Sequence, residues 1–150
     1  MALISDKDRD ALKARFDKDL VNDVKFIYFT QAESPLPAMS QECAMCRETR
    51  EILEEISVLS DKMSLEVHDF YAEGELATRL GVEKIPAIVM SGVQGERVRF
   101  YGIPSGYEFS TLIEDIIDVS RGSSGVSPKT AAKLAKVDQP VHIQVIVTPT

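Results

Sequence analysis

The sequence predicts an α/β fold: a four-stranded mixed sheet flanked by helices, with an extra helix before it and a helix-strand extension after it. Three observations predict this. Apolar residues switch between helical and strand spacing in the order α-β-α-β-(α)-β-β-α. Both cysteines of the 150-residue chain fall in one tetrapeptide, Cys43-Ala-Met-Cys46, where the first strand feeds its helix. A proline, Pro86, stands directly before the third strand.

The elements follow in order. Ser5, with Asp8 three residues on, has the pattern of a helix N-cap, and Ala11, Leu12, Phe16 and Leu20 then recur at helical spacing. Residues 24–29 (Val-Lys-Phe-Ile-Tyr-Phe) are a β-rich run and the expected central strand. A loop over residues 30–42 holds Pro35 and Pro37; loops this long inside a compact domain are often functional. From Cys43 onward a helix is expected, with Met45, Thr49, Ile52, Leu53, Ile56 and Leu59 along one face and four glutamates on the others. A second strand spans 64–70, and a short helix over 73–80 stops at Gly81. The third strand begins directly after the proline of Lys84-Ile85-Pro86-Ala87-Ile88-Val89-Met90. Residues 92–95 turn into a fourth strand over 96–101, so the last two strands form a hairpin. Phe109, Leu112, Ile113, Ile116 and Ile117 define a closing amphipathic helix.

Behind it, residues 121–126 (Arg-Gly-Ser-Ser-Gly-Val) are a small-residue linker separating a first unit, 1–120, from residues 127–150. Ser127-Pro128 opens a helix running to about Val137, with the proline at the first helical position. Residues 141–147 (Val-His-Ile-Gln-Val-Ile-Val) are then expected as a strand. Helix, turn and strand repeat the order of residues 5–30, so 127–150 is expected to be an incomplete second repeat. A strand this apolar needs a partner, and docking on the first unit, with homodimer formation through 127–150, is the expected outlet.

Composition bounds the function. With 44% hydrophobic residues the chain can bury one good core. A net charge of −7 and the lack of a Lys/Arg stripe argue against a nucleic-acid partner. No run approaches ~20 apolar residues, so no membrane span is expected. The N-terminus turns polar within five residues, unlike a signal peptide, and a cytoplasmic location follows as the expectation.

Two cysteines spaced C-x-x-C can cycle between dithiol and disulfide. In an intracellular α/β chain they read as a thioredoxin-like redox site. A structural disulfide would close only a four-residue loop and stabilise little. Zinc needs four ligands, and His68 and His142 are not spaced as a pair. No metal and no cofactor is therefore expected. The rival reading is a non-catalytic module that binds a metal, an iron–sulfur cluster or a protein partner.

C-x-x-C together with the later X-Pro before a strand is the thioredoxin arrangement. The whole chain resembles the glutaredoxin-like protein disulfide oxidoreductases of thermophilic archaea and bacteria. The resemblance is carried by Leu3-Ile4-Ser5-Asp6, by Phe100-Tyr-Gly-Ile-Pro-Ser-Gly-Tyr-Glu-Phe109, by residues 112–120 and by Val145-Ile-Val-Thr-Pro149. It implies a tandem thioredoxin fold, with Cys43 as nucleophile, Cys46 as resolving thiol and Pro86 as a cis-proline facing them. A longer loop before Cys43 and the Ala-Met centre depart from that pattern. The N-terminal region of the alkyl hydroperoxide reductase flavoprotein is related, but its first half lacks the cysteine pair, so Cys43 and Cys46 argue against it.

Under this resemblance Cys43 attacks a protein or small-molecule disulfide and Cys46 resolves the mixed disulfide, with a thiol or flavoprotein as reductant. Arg47 favours the thiolate and Glu42 opposes it. Ile85 is expected to pair with an extended substrate strand. Met39 and Met45 could form an apolar rim, although packing is the preferred reading of both.

Overall fold

The computed structural model describes residues 3–32 and 43–147. In chain order the elements are α1 (Asp6–Asp19), β1 (Val24–Thr30), α2 (Cys46–Ser57), β2 (Met63–Asp69), α3 (Gly74–Arg79), β3 (Ala87–Gly92), β4 (Gly95–Tyr101), α4 (Tyr107–Arg121) and α5 (Pro128–Leu134). The four strands form one sheet in the order β2-β1-β3-β4. β1 runs parallel to β2 and antiparallel to β3, and β3–β4 is an antiparallel hairpin. The mixed sheet is as the sequence predicts.

Local chemistry sets most boundaries. Ser5 caps α1: its Oγ accepts the Asp8 N–H at 3.2 Å and donates to the Asp8 carboxylate at 2.6 Å. Gly81, at φ +65°, ends the turn after α3 in a conformation that side-chain-bearing residues rarely adopt. Strand β3 starts at Ala87, directly after Pro86 as expected, because Pro86 has no N–H to give a ladder; the Ile85–Pro86 bond is cis.

Strand alternation divides the core into two layers. Phe26 and Tyr28 of β1 turn to one face and pack with Phe16 of α1, Ile52, Leu53 and Ile56 of α2, and Leu112, Ile116 and Ile117 of α4. Ile27 and Phe29 turn to the other face and meet Ala77 and Leu80 beside α3. Six of the seven residues of β1, all but Lys25, are buried, as befits a central strand covered on both sides.

The α1–β1 turn is fastened to α4 by one buried hydroxyl. Ser120 Oγ accepts the N–H groups of Val21 (2.9 Å) and Asn22 (3.0 Å) and donates to the Asn22 carbonyl, while Asn22 Nδ2 donates to the Ser120 carbonyl at 2.9 Å. Ser120→Ala would strip these backbone groups of their partner. Unfolding in urea should show a loss of about 2–3 kcal/mol, since part-buried unpaired polar groups are costly. A loss below about 0.5 kcal/mol would mean that water replaces the hydroxyl.

The extension behind α4 departs from expectation. Its helix forms, with Ser127 Oγ accepting the Thr130 N–H, but it ends at Leu134 and buries no residue. Residues 141–147 pair with none of the four strands. Their apolar side chains are exposed, Ile146 to 90%. The expected strand and its docking on the first unit are therefore corrected. A strand exists only through ladder bonds to a neighbour, and among the described residues neither sheet edge supplies them.

Candidate redox site

The site is built where β1 ends. Leaving the sheet at Thr30, the chain presents the Gln31 side chain, whose Oε1 accepts the Cys43 N–H at 3.0 Å. Cys43 and Cys46 are joined by a disulfide, S–S 2.05 Å, with Cα atoms 5.4 Å apart. Expected as helical from Cys43, the chain instead forms a turn over residues 43–45, and Cys46 is the first residue of α2. The Cys46 N–H donates to the Cys43 carbonyl at 3.2 Å and closes that turn. Cys43 is half-buried, whereas Cys46 is buried at 5% exposure. One sulfur-bearing residue thus lies nearer solvent and the other inside the helix–sheet contact.

Beneath Cys46 lies a group that the motif does not reveal. The fully buried Tyr28 donates its hydroxyl to the Cys46 carbonyl at 2.7 Å. Burial pushes its phenol up to about 12, with the nearby Thr30 and Thr49 hydroxyls and the positive charge of Arg50 opposing that rise. Thr49, also fully buried, returns its hydroxyl to the Met45 carbonyl at 2.7 Å and its N–H to the same oxygen at 3.0 Å. The first turn of α2 is therefore held from the sheet and from within. Strand alternation could have flagged Tyr28, because it shares the inward face with Val24 and Phe26, and a buried tyrosine hydroxyl needs an acceptor.

A second anchor is Asp69 at the end of β2. Its carboxylate accepts the N–H groups of Ala32 (2.6 Å), Ala72 (2.6 Å) and Tyr71 (3.0 Å). These backbone donors, Ala72 and Ala32 foremost, hold it below its usual 3.8. A depressed carboxylate contributes stability above the unfolded value and loses it as pH falls through the folded one. The Ala32 and Ala72 amides should therefore exchange faster at about pH 2.5 than at about pH 5, after correction for intrinsic rates. Equal protection at both would show that the carboxylate does not hold the β1 exit.

The Ile85–Pro86 segment leaves the sheet at the same end. Phe29 pairs with Ala87, one residue after Pro86, and Gln31 two residues beyond Phe29 binds Cys43. Pro86 is buried and its carbonyl accepts the Gly102 N–H at 3.0 Å. Ile85 is half-buried, and among the described residues its backbone N–H and C=O have no hydrogen-bond partner. The register thus brings the two predicted site segments to one end of the sheet.

The charged and apolar neighbours fare differently. Arg47 is exposed and reaches Glu48 and Glu51 at 3.8 Å each, so two carboxylates temper its charge. Met45 is 48% exposed, which corrects the packing preference and leaves it free to contact a partner. Met39 and Glu42 lie outside the described residues. His68 lies 2.8 Å from Glu73 through Nδ1 and stacks against Phe29 at 5.6 Å. Among the described residues no three His, Cys, Asp or Glu side chains gather as a metal site, and no helix is long and apolar enough to cross a membrane.

Comparison with solved structures places the architecture. The chain superposes on the alkyl hydroperoxide reductase component AhpF of Enterococcus faecalis with a TM-score of 0.73, at 22% identity, over 89% of this chain and 60% of that one. For the protein disulfide oxidoreductase of Aeropyrum pernix the TM-score is 0.72 at 23% identity, over 88% and 54%. The thioredoxin of Fasciola hepatica matches with a TM-score of 0.51 at 19% identity, over 73% of this chain and 92% of its own. The fold is that of thioredoxin.

Within this thioredoxin fold the disulfide sits at the start of α2, at the exit of the central strand. In sequence, the chain is 31% identical over 108 residues to the same alkyl hydroperoxide reductase component from Xanthomonas campestris pv. phaseoli. That match takes in 71% of this chain but only 17% of the relative's length. No family model matches. Both likenesses read from the sequence are thus present.

Proposed function

We propose that the chain is a thiol-disulfide oxidoreductase that uses Cys43 and Cys46 to reduce, form or exchange disulfides. The observation that carries this reading is the Cys43–Cys46 disulfide at the mouth of α2 in a thioredoxin fold, with its first cysteine half-buried and its second buried. In the reductive direction Cys43 attacks as thiolate. A bond forms to one substrate sulfur and the substrate S–S bond breaks, releasing the other sulfur as thiolate. Cys46 then attacks the Cys43 sulfur, which regenerates the internal disulfide and releases the second substrate thiol. The two electrons come from the dithiol, which a thiol or flavoprotein reductant restores.

Ile85 and Pro86 are the proposed substrate-binding residues, because the Ile85 backbone, which has no hydrogen-bond partner among the described residues, lies at the same end of the sheet as Cys43 and can bond an extended segment. The setting is read as cytoplasmic, where such disulfides are more often catalytic than structural. Residues 1–120 form the working unit, 121–126 the linker, and 127–150 the start of a second thioredoxin-like repeat. The exposed apolar residues of 141–147 are the proposed contact of a homodimer. Sedimentation at micromolar concentration tests that contact, and a monomer would overturn it. Reduction of insulin driven by dithiothreitol tests the activity: acceleration over the uncatalysed rate is expected, and its absence would refute the reading.

A further inference from the structure

We infer that Tyr28 is a positioning residue for the resolving step, its buried hydroxyl holding Cys46 where that sulfur can close on Cys43. The inference rests on the reading of the pair as redox-active, and deepens it. When the disulfide opens, the covalent link that defines the 43–46 turn is gone. Among the described residues, three hydrogen bonds then remain to keep its ends together: Cys43 N–H to Gln31, Cys46 N–H to the Cys43 carbonyl, and Tyr28 Oη–H to the Cys46 carbonyl. The last alone ties Cys46 to the central strand through a rigid, fully buried ring.

That bond is not needed to satisfy the carbonyl, since Cys46 is the first residue of α2 and its C=O accepts within the helix in any case. The phenol needs an acceptor, and the one it has is the backbone of the resolving cysteine. Because burial keeps the phenol protonated well above neutrality, the donor persists throughout the pH range in which thiols titrate. Preorganisation of this kind raises the effective concentration of one thiol toward the other.

The step concerned is balanced as follows. In the Cys43–glutathione mixed disulfide, Cys46 gives its proton to solvent and attacks the Cys43 sulfur. The internal S–S bond forms, the bond to glutathione breaks, and glutathione leaves as thiolate.

Equilibration of the protein with reduced and oxidised glutathione tests the inference. Tyr28→Phe keeps the ring and removes the oxygen. The equilibrium constant for closing the internal disulfide should fall about three- to tenfold, the range expected for one net hydrogen bond, and the glutathione mixed disulfide should accumulate. A purely structural hydroxyl would lower the melting temperature and leave that constant within about twofold of wild type, which would overturn the inference while the redox reading stands. A wild-type protein that forms no disulfide with oxidised glutathione would instead refute the redox reading, and this one with it. Should the variant not fold, proton NMR of the wild type decides. A slowly exchanging Tyr28 hydroxyl proton in both redox states is expected, and its loss on reduction would overturn the inference.

Discussion

Cys43→Ser is expected to lower insulin reduction by on the order of a hundredfold or more, because a serine hydroxyl cannot replace the thiolate as nucleophile at neutral pH. Cys46→Ser should fail differently. Its Cys43 can still attack, but nothing resolves the adduct, so a stable mixed disulfide with substrate should be seen by mass spectrometry. Burial motivates the assignment: Cys46 is 5% exposed and sits under the first turn of α2, while Cys43 precedes the helix and is half-buried. With limiting alkylating reagent the reduced protein should be modified at Cys43 first. If Cys43→Ser traps the adduct and Cys46→Ser is inert, the two roles are reversed. If both variants retain wild-type activity, the pair is not the reacting group.

Phe26→Ala is expected to cost about 3–5 kcal/mol, the range for removing a buried aromatic from a packed interior. Phe26 is fully buried in β1, pairs with Leu65 of β2 and Met90 of β3, and shares a core with α1, α2 and α4. A small domain has about 5–15 kcal/mol in total, so this one truncation would remove a large share of it. The urea midpoint should fall with little change in slope. A shift below about 1 kcal/mol would mean that neighbouring side chains refill the cavity. Tyr107, 84% exposed at the start of α4, is the control: its replacement by alanine should change stability by no more than about 0.5 kcal/mol.

Most of the fold is legible because period and punctuation agree. Ser5 reads as a cap and is one, Gly81 reads as a stop and adopts positive φ there, and the inward face of α2 carries Thr49, Ile52, Leu53 and Ile56 as the helical spacing requires. The candidate site is less legible. Its cysteines announce themselves by type and spacing, but their supports do not. Gln31 and Asp69 are common surface residue types, and only the meeting of the β1 and β2 ends gives them amides to accept. Residues 141–147 show the opposite failure: alternation and β-branching mark a strand, yet a strand also needs a neighbour.

The sequence alone therefore determined the order of elements, the inward face of α2, and the placing of a Cys-x-x-Cys pair where the first strand feeds its helix, because these depend on residues close together along the chain. Tertiary structure alone decided that Tyr28 holds the Cys46 carbonyl, that Asp69 fastens the amide of Ala32 beyond β1, and that α5 covers no part of the sheet. Each of these depends on groups far apart in sequence, or on an element finding a partner, and periodicity carries no information about either.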